Sequence, residues 1–181
     1  MREPTESYPI RLARLDELPR LREIEDQAGT LFAGLGLIDE SLDAAFPADY
    51  LARLVNLAQV WVGCFDDVPV GVVVASVREN AVYIEELDVI PAHARRGLGA
   101  RLLGCVCSWA RVQGYGAVTL STFRDVPWNG PFYRKHGFND LAPSAWTPGM
   151  RAIREKEAQH GLRVEARVFM RRDFDEGSGR Q

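Results

Sequence analysis

Long apolar runs are missing from this sequence. The longest, Val68 to Ala75, falls far short of the ~20 residues that a membrane-spanning helix needs, so no membrane partner is expected. Cysteine is nearly as scarce. Cys64, Cys105 and Cys107 are the three present, without the spacing of a zinc ligand set or the number needed for a disulfide framework. They are expected to be reduced core thiols, and no metal is expected. An excess of one charge is lacking as well: 22 Lys and Arg stand against 25 Asp and Glu, a formal net charge of -3. That balance excludes the chain-wide basic footprint of a nucleic-acid binder, so any anion site must be local. The opening stretch MREPTESYPIRLARLDELPR is too charged for the apolar region of a signal peptide, and a cytoplasmic protein is expected. Internal repeats and low-complexity segments are absent too.

What is present is a chain of 181 residues, 46% of them hydrophobic, enough for one domain with a real core. The expected domain covers residues 1–172, with 173–181 a disordered tail ending in DEGSGRQ. Alternation predicts a first strand over Tyr8 to Leu15, after which Asp16 can cap a helix carrying Leu18, Leu21 and Ile24. A second helix is expected after Pro47, with Tyr50, Leu51, Leu54 and Leu57 on its buried face. The stretch between them, Gly29 to Phe46, reads as a mobile segment that could cover a substrate. A meander follows: strands at Val60 to Phe65, Val70 to Arg78 and Val82 to Ile90, with turns at Asp66-Asp67 and Glu79-Asn80. The period then becomes helical, with Leu98, Leu102, Val106 and Trp109 on one face until Gly114. The next strand, Val118 to Phe123, must therefore return parallel to the one before the helix. A short helix at Gly130 to His136, stopped by Gly137, comes next. A helix with Thr147 as cap, Pro148 in its first turn and Gly161 as stop precedes a last strand at Val164 to Met170.

Chemistry concentrates in the stretch IPAHARRGLGARLL, Ile90 to Leu103. A helix starting there leaves its first backbone N–H groups without acceptors, and its dipole adds partial positive charge. Gly97 and Gly99 allow close approach and Arg95 and Arg96 add charge, so a phosphate or pyrophosphate fits. The dinucleotide fingerprint does not, because Leu102 stands where its third glycine belongs, and no G-K-[ST] P-loop exists. Just upstream, Glu85, Glu86 and Asp88 lie on a strand on which Glu86 and Asp88 share one face and Glu85 takes the other. A carboxylate buried there would have a raised pKa and be a candidate general base. Downstream, NGPFYRKHGF, Asn129 to Phe138, carries Tyr133, whose hydroxyl can donate a proton.

Together these segments resemble the GNAT superfamily of acetyl-CoA-dependent N-acetyltransferases, over Ile10 to Met170. The resemblance implies an α/β (mixed α+β) fold: a splayed, mostly antiparallel mixed sheet flanked by helices, opened between the strands at Glu85 and Val118. It implies acetyl-CoA as co-substrate. By it, backbone at Leu87, Asp88 and Val89 holds the pantetheine arm, amides of Arg95, Arg96, Gly97, Leu98, Gly99 and Ala100 hold the pyrophosphate, and Phe132 and Tyr133 border the cofactor. Two positions depart from the family pattern, Ala94 in the loop and Val126 where Asn is usual; Asn129 is carried over as a cofactor contact or a helix cap.

The implied catalytic residues are Tyr133, protonating the leaving thiolate, and Glu85 or Glu86 as base, with a backbone N–H near Val89 toward the oxyanion. The reaction is direct attack of an amine on the thioester. Carboxylates Glu85, Glu86, Asp88 and Asp125 favour a small cationic amine acceptor, against which Phe32 or Trp128 could pack. A protein or peptide amine, or a CoA-binding module without catalysis, are the alternatives, and a homodimer is left open.

Overall fold

The computed structural model describes residues 8–39, 41 and 47–174. Among these, seven strands order as β1-β2-β3-β4-β5-β7-β6: β1 is Ile10–Leu12, β2 Val60–Phe65, β3 Val68–Arg78, β4 Ala81–Val89, β5 Ala117–Phe123, β6 Asn139–Asp140 and β7 Arg167–Asp173. The β4–β5 pair is parallel; β1–β2, β2–β3, β5–β7 and β6–β7 are antiparallel. Among the described residues five α-helices accompany them: α1 Leu18–Gly29, α2 Ala48–Asn56, α3 Leu98–Val112, α4 Gly130–Lys135 and α5 Pro148–Gln159. None of the described helices is long and apolar enough to cross a membrane.

The chain forms two compact units. One takes in the described residues of Met1–Leu31, Ala45–Ala75 and Glu86–Val106; the other takes those of Phe32–Ala44, Ser76–Glu85 and Cys107–Gln181. In the first, β2 and β3 are joined by Asp66 and Asp67, both at positive φ, the conformation that matches the strands' own twist. The apolar run of β3 is buried from Pro69 through Ser76. Leu98, Leu102, Leu103 and Val106 of α3 and Leu21 and Ile24 of α1 supply core side chains. In the second, Glu79 and Asn80 repeat the positive-φ turn, and Tyr83, Met150 and Phe169 form a buried cluster flanked by Leu141, Trp146 and Ile153. Thr147 caps α5 by accepting the Met150 N–H, while Gly161 at φ +75° follows its end.

Several expectations need correction. The first strand covers only Ile10–Leu12, and Asp16 caps no helix: Leu15–Glu17 form a 3₁₀ turn and α1 begins at Leu18. The cause is Glu17, whose buried carboxylate accepts two bonds from Arg11, at 2.9 and 2.6 Å, and one from the Arg14 N–H. That bond closes the turn early. Leu57 lies past the end of α2 and is exposed. On α3 the inner face passes through Leu103, Cys107 and Ala110, leaving Trp109 half-buried. The last strand begins three residues later than expected because Val164–Ala166 form a 3₁₀ turn. The proposed covering segment is described only in part: Thr30–Phe32 are a 3₁₀ turn and Ile38 bridges to Leu162, while residues 40 and 42–46 lie outside the described residues. Of the tail expected at 173–181, Asp173 ends β7 and the Phe174 N–H reaches the Gly116 carbonyl at 2.8 Å, so the domain runs further than residue 172, while DEGSGRQ lies outside the described residues.

Candidate active site

In the first unit, β4 ends at Val89 and a 3₁₀ turn, Pro91–His93, leads into the glycine loop. Arg95 (φ +62°) and Gly97 (φ +80°) both adopt left-handed backbone, which for Gly97 carries no steric cost. A Cβ at Gly97 would meet nothing within 4 Å, so the backbone there is open. The Arg101 N–H reaches the Gly97 carbonyl at 3.1 Å. The amides ahead of it, of Leu98, Gly99 and Ala100, precede the first possible rung of a 15-residue helix and face the position where its dipole is positive. Leu98 anchors this end, with 1% of its surface exposed. Its two methyls rest where Gly63 and Gly71 have no side chain: a Cβ on Gly63 would lie 2.3 Å from Leu98 Cδ1, and one on Gly71 3.0 Å from Cδ2. Those two glycines carry no motif; only their place on adjacent strands gives them a role.

The same unit holds Glu86 and Asp88, half-buried two residues apart on β4 and close enough to act on each other. Burial pushes the Glu86 carboxyl well above its ordinary range, and the charges of Asp88 and Glu25 push further, with Arg22 opposing. Burial raises Asp88 to about 6, although the hydrogen bond from Glu86 pulls the other way. Neither Glu25 nor Arg22, an ion pair at 3.5 Å on α1, has a sequence signal linking it to β4.

The second unit holds Glu85, Asn129, Phe132 and Tyr133. Glu85 accepts from Ser76 Oγ at 2.6 Å and from Arg78 Nη2 at 2.6 Å and Nε at 3.2 Å. Tyr133 is buried on α4, its ring edge-on to Phe132 and Phe138. Asn129 stands at the N-cap position of α4, yet its side chain caps nothing and its Oδ1 is buried without a partner. Of the two roles open to Asn129, capping is thus removed. A Cβ on Gly130 would lie 2.2 Å from the Arg124 carbonyl, so the chain turns into α4 only with glycine there.

The parallel register with β5 covers Val82 to Ile84, whereas β4 runs on to Val89. The last residues of β4 therefore lie beyond that register. Burial raises the thiol pKa of Cys64, Cys105 and Cys107, which makes them poor nucleophiles. Among the described residues no group of three or more His, Cys, Asp or Glu could hold a metal.

In the first unit an open glycine backbone ahead of a long helix and amides beyond the reach of its ladder fit a phosphate group; in the second the orphaned Asn129 Oδ1 is an unused acceptor. The model of the acetyltransferase (GNAT) family matches residues 19–138. The chain belongs to the GNAT family. This family uses acetyl-CoA as co-substrate and acetylates amines, and the observed mixed sheet flanked by helices is the GNAT fold. Similar solved structures include Rv2747 from Mycobacterium tuberculosis in complex with CoA and NLQ, at 17% identity and TM-score 0.69 over 92% of this chain and 99% of that one. The PaiA N-acetyltransferase of Thermoplasma acidophilum in complex with coenzyme A is 17% identical, TM-score 0.67, over 93% and 99%. N-acetylglutamate synthase from Neisseria gonorrhoeae, complexed with coenzyme A and N-acetyl-glutamate, is 16% identical with TM-score 0.68 over 91% of this chain, which spans 34% of that longer one. At these identities the GNAT likeness among structures is one of fold.

Proposed function

We propose that this GNAT protein transfers acetyl from acetyl-CoA to the primary amine of a small molecule that arrives as an ammonium ion, by direct attack on the thioester. The observation carrying the proposal is the Glu86–Asp88 pair on one face of β4, two carboxyls that burial shifts upward, toward taking a proton. Glu86, acting with Asp88, is the base. Glu85, bound by Arg78 and Ser76, supplies fixed negative charge. Amides from Arg95 to Ala100 hold the pyrophosphate, with Arg95 and Arg96 adding charge. Backbone at Leu87 and Val89, beyond the β5 register, bonds the pantetheine arm, and the Val89 N–H stabilises the developing oxyanion. Asn129 Oδ1 accepts from an amide of the arm, Phe132 packs on it, and the Tyr133 hydroxyl protonates the departing thiolate.

The test is thiol release from acetyl-CoA across a library of small primary amines, followed by Glu86→Gln on the best acceptor. Losing the base should shift the acidic limb of the kcat/KM profile upward, toward the pKa of the amine. CoA binding without release of thiol for any amine sinks the proposal in favour of a binding module.

A further inference from the structure

We infer that Arg154 and Arg167 form a carboxylate-recognition site for the acceptor, so that the amine acetylated by this protein also bears a carboxylate. The inference rests on the acetyl-transfer proposal and narrows it. Arg154 lies on α5, and Glu157 one turn further along bridges it to Arg167 at the start of β7: Arg154 Nη1 is 3.3 Å from Glu157 Oε2, and Arg167 Nη2 is 3.0 Å from Oε1. The three side chains are only 13%, 9% and 12% exposed, so two guanidinium groups share one carboxylate away from water.

What that triad leaves over is specific. Arg154 Nη1 also donates to the Val164 carbonyl at 2.8 Å, but Nε and Nη2 are buried with no partner. Those two nitrogens form the side-on edge of the guanidinium, the edge that grips a carboxylate through two parallel bonds. The plane is held for the purpose, because Arg154 stacks on Trp146 and Phe169, its Cζ 5.0 and 4.8 Å from the ring centroids. On Arg167, Nη2 donates to the Ser121 carbonyl at 2.9 Å, while Nε and the neighbouring Ser121 Oγ are buried and unpartnered. A purely structural Arg–Glu–Arg bridge would aim these donors at acceptors; here a bidentate edge, a further N–H and a hydroxyl are left unused, and the one acceptor left over, Glu157 Oε2, ion-pairs with Arg154 Nη1 at 3.3 Å without a hydrogen bond, so the unused donors outnumber it.

The surroundings suit an acceptor. Arg167 lies 4.6 Å over the Phe123 ring, and Phe123 and the exposed Trp128 both pack on Phe32, which gives an apolar wall beside the arginines. Glu157, Glu85, Arg167 and Arg78 all act on the Tyr83 hydroxyl, so Glu85 and Arg167 share one neighbourhood. An amine at one end of a small acceptor and a carboxylate at the other match that polarity.

The experiment compares matched acceptors, lysine with cadaverine, arginine with agmatine and phenylalanine with phenethylamine, in thiol release at saturating acetyl-CoA. The best carboxylated member should exceed its decarboxylated partner by at least about tenfold in kcat/KM. Arg154→Lys keeps the charge but removes the side-on edge, and it should collapse that ratio through KM while the acetyl-CoA KM holds. Arg167→Lys serves as a second variant should the first not fold. Equal use of both partners, or an unchanged ratio in the folded Lys variants, overturns the inference while leaving amine acetylation intact. If no amine is acetylated, thermal shift decides separately: a carboxylated amine that raises the Tm of the wild type but not of Arg154→Lys upholds the site. No shift in either means the donors hold internal water only, and the inference falls.

Discussion

Gly63→Ala should couple core packing to cofactor binding. The new Cβ would sit 2.3 Å from Leu98 Cδ1, and the leucine cannot swing aside because its other methyl already occupies the space over Gly71, 3.0 Å from the site of a Cβ there. Leu98 must move as a whole, and with it the first turn of α3. Overpacking of this kind costs about 1–3 kcal/mol. For a chain of this size each kcal/mol lowers Tm by roughly 2–4 °C, so a fall of about 2–12 °C is expected. Differential scanning fluorimetry reads the fall, and calorimetry with CoA reads the displaced amides as a loss of affinity on the order of tenfold, or about 1.4 kcal/mol. Trimming the obstructing side chain provides the control. Leu98→Ala alone should cost about 2–5 kcal/mol by opening a cavity, but in the double variant the new methyl occupies part of that cavity. The pair should therefore be less damaging than the sum by at least about 0.5 kcal/mol. Additive energies would show that Gly63 is not the wall against which Leu98 packs. Full CoA affinity in a destabilised Gly63→Ala would show that the helix start does not hold the cofactor.

Tyr133→Phe removes only a hydroxyl and should lower kcat by about 10²-fold with CoA affinity retained, if chemistry limits the rate; full kcat under that condition ends the general-acid role. Glu17, held at about 2 by its bonds to Arg11, has a folded pKa below its ordinary 4.5. Its stabilising contribution is thus present above that value and lost as pH falls from about 4.5 toward 2, some ~3 kcal/mol at most. Glu17→Gln should lower Tm at pH 7 and flatten its dependence on pH in that window; a parallel acid limb in the variant would contradict the ion pair's role. Asp88 carries the opposite sign. Its folded pKa is raised to about 6, so the protein loses stability as pH rises from about 4 to 6 through this group. Asp88→Asn should remove that part of the slope in a Tm series, and an unchanged slope would mean the carboxyl is solvated.

The elements that could be read in advance were those whose cause is local. Asp66-Asp67 and Glu79-Asn80 announce their turns by residue type, and the period change after Ile90 announces α3; both reflect backbone preferences that act over a few residues. The glycine loop was legible for the same reason, since its amides and its left-handed Gly97 need no distant partner. Side-chain partners outside the local pattern were less legible. Arg11 closes on Glu17 and shifts the start of α1, and Leu98 finds its place through Gly63 and Gly71.

The three carboxylates of β4 carry the same lesson into the chemistry. Their alternation separates Glu85 from Glu86 and Asp88, but alternation is blind to charge, and it cannot say which side meets an arginine. Arg78, seven residues away across the Glu79-Asn80 turn, takes Glu85, whereas Glu86 meets a second carboxylate and, from α1, the charge of Glu25. One carboxylate is thereby held as an ion-pair partner and the other two are pushed toward sharing a proton. Which glutamate can serve as a base is thus decided by tertiary neighbours, and the spacing in the sequence could narrow the choice only to the pair Glu85 and Glu86.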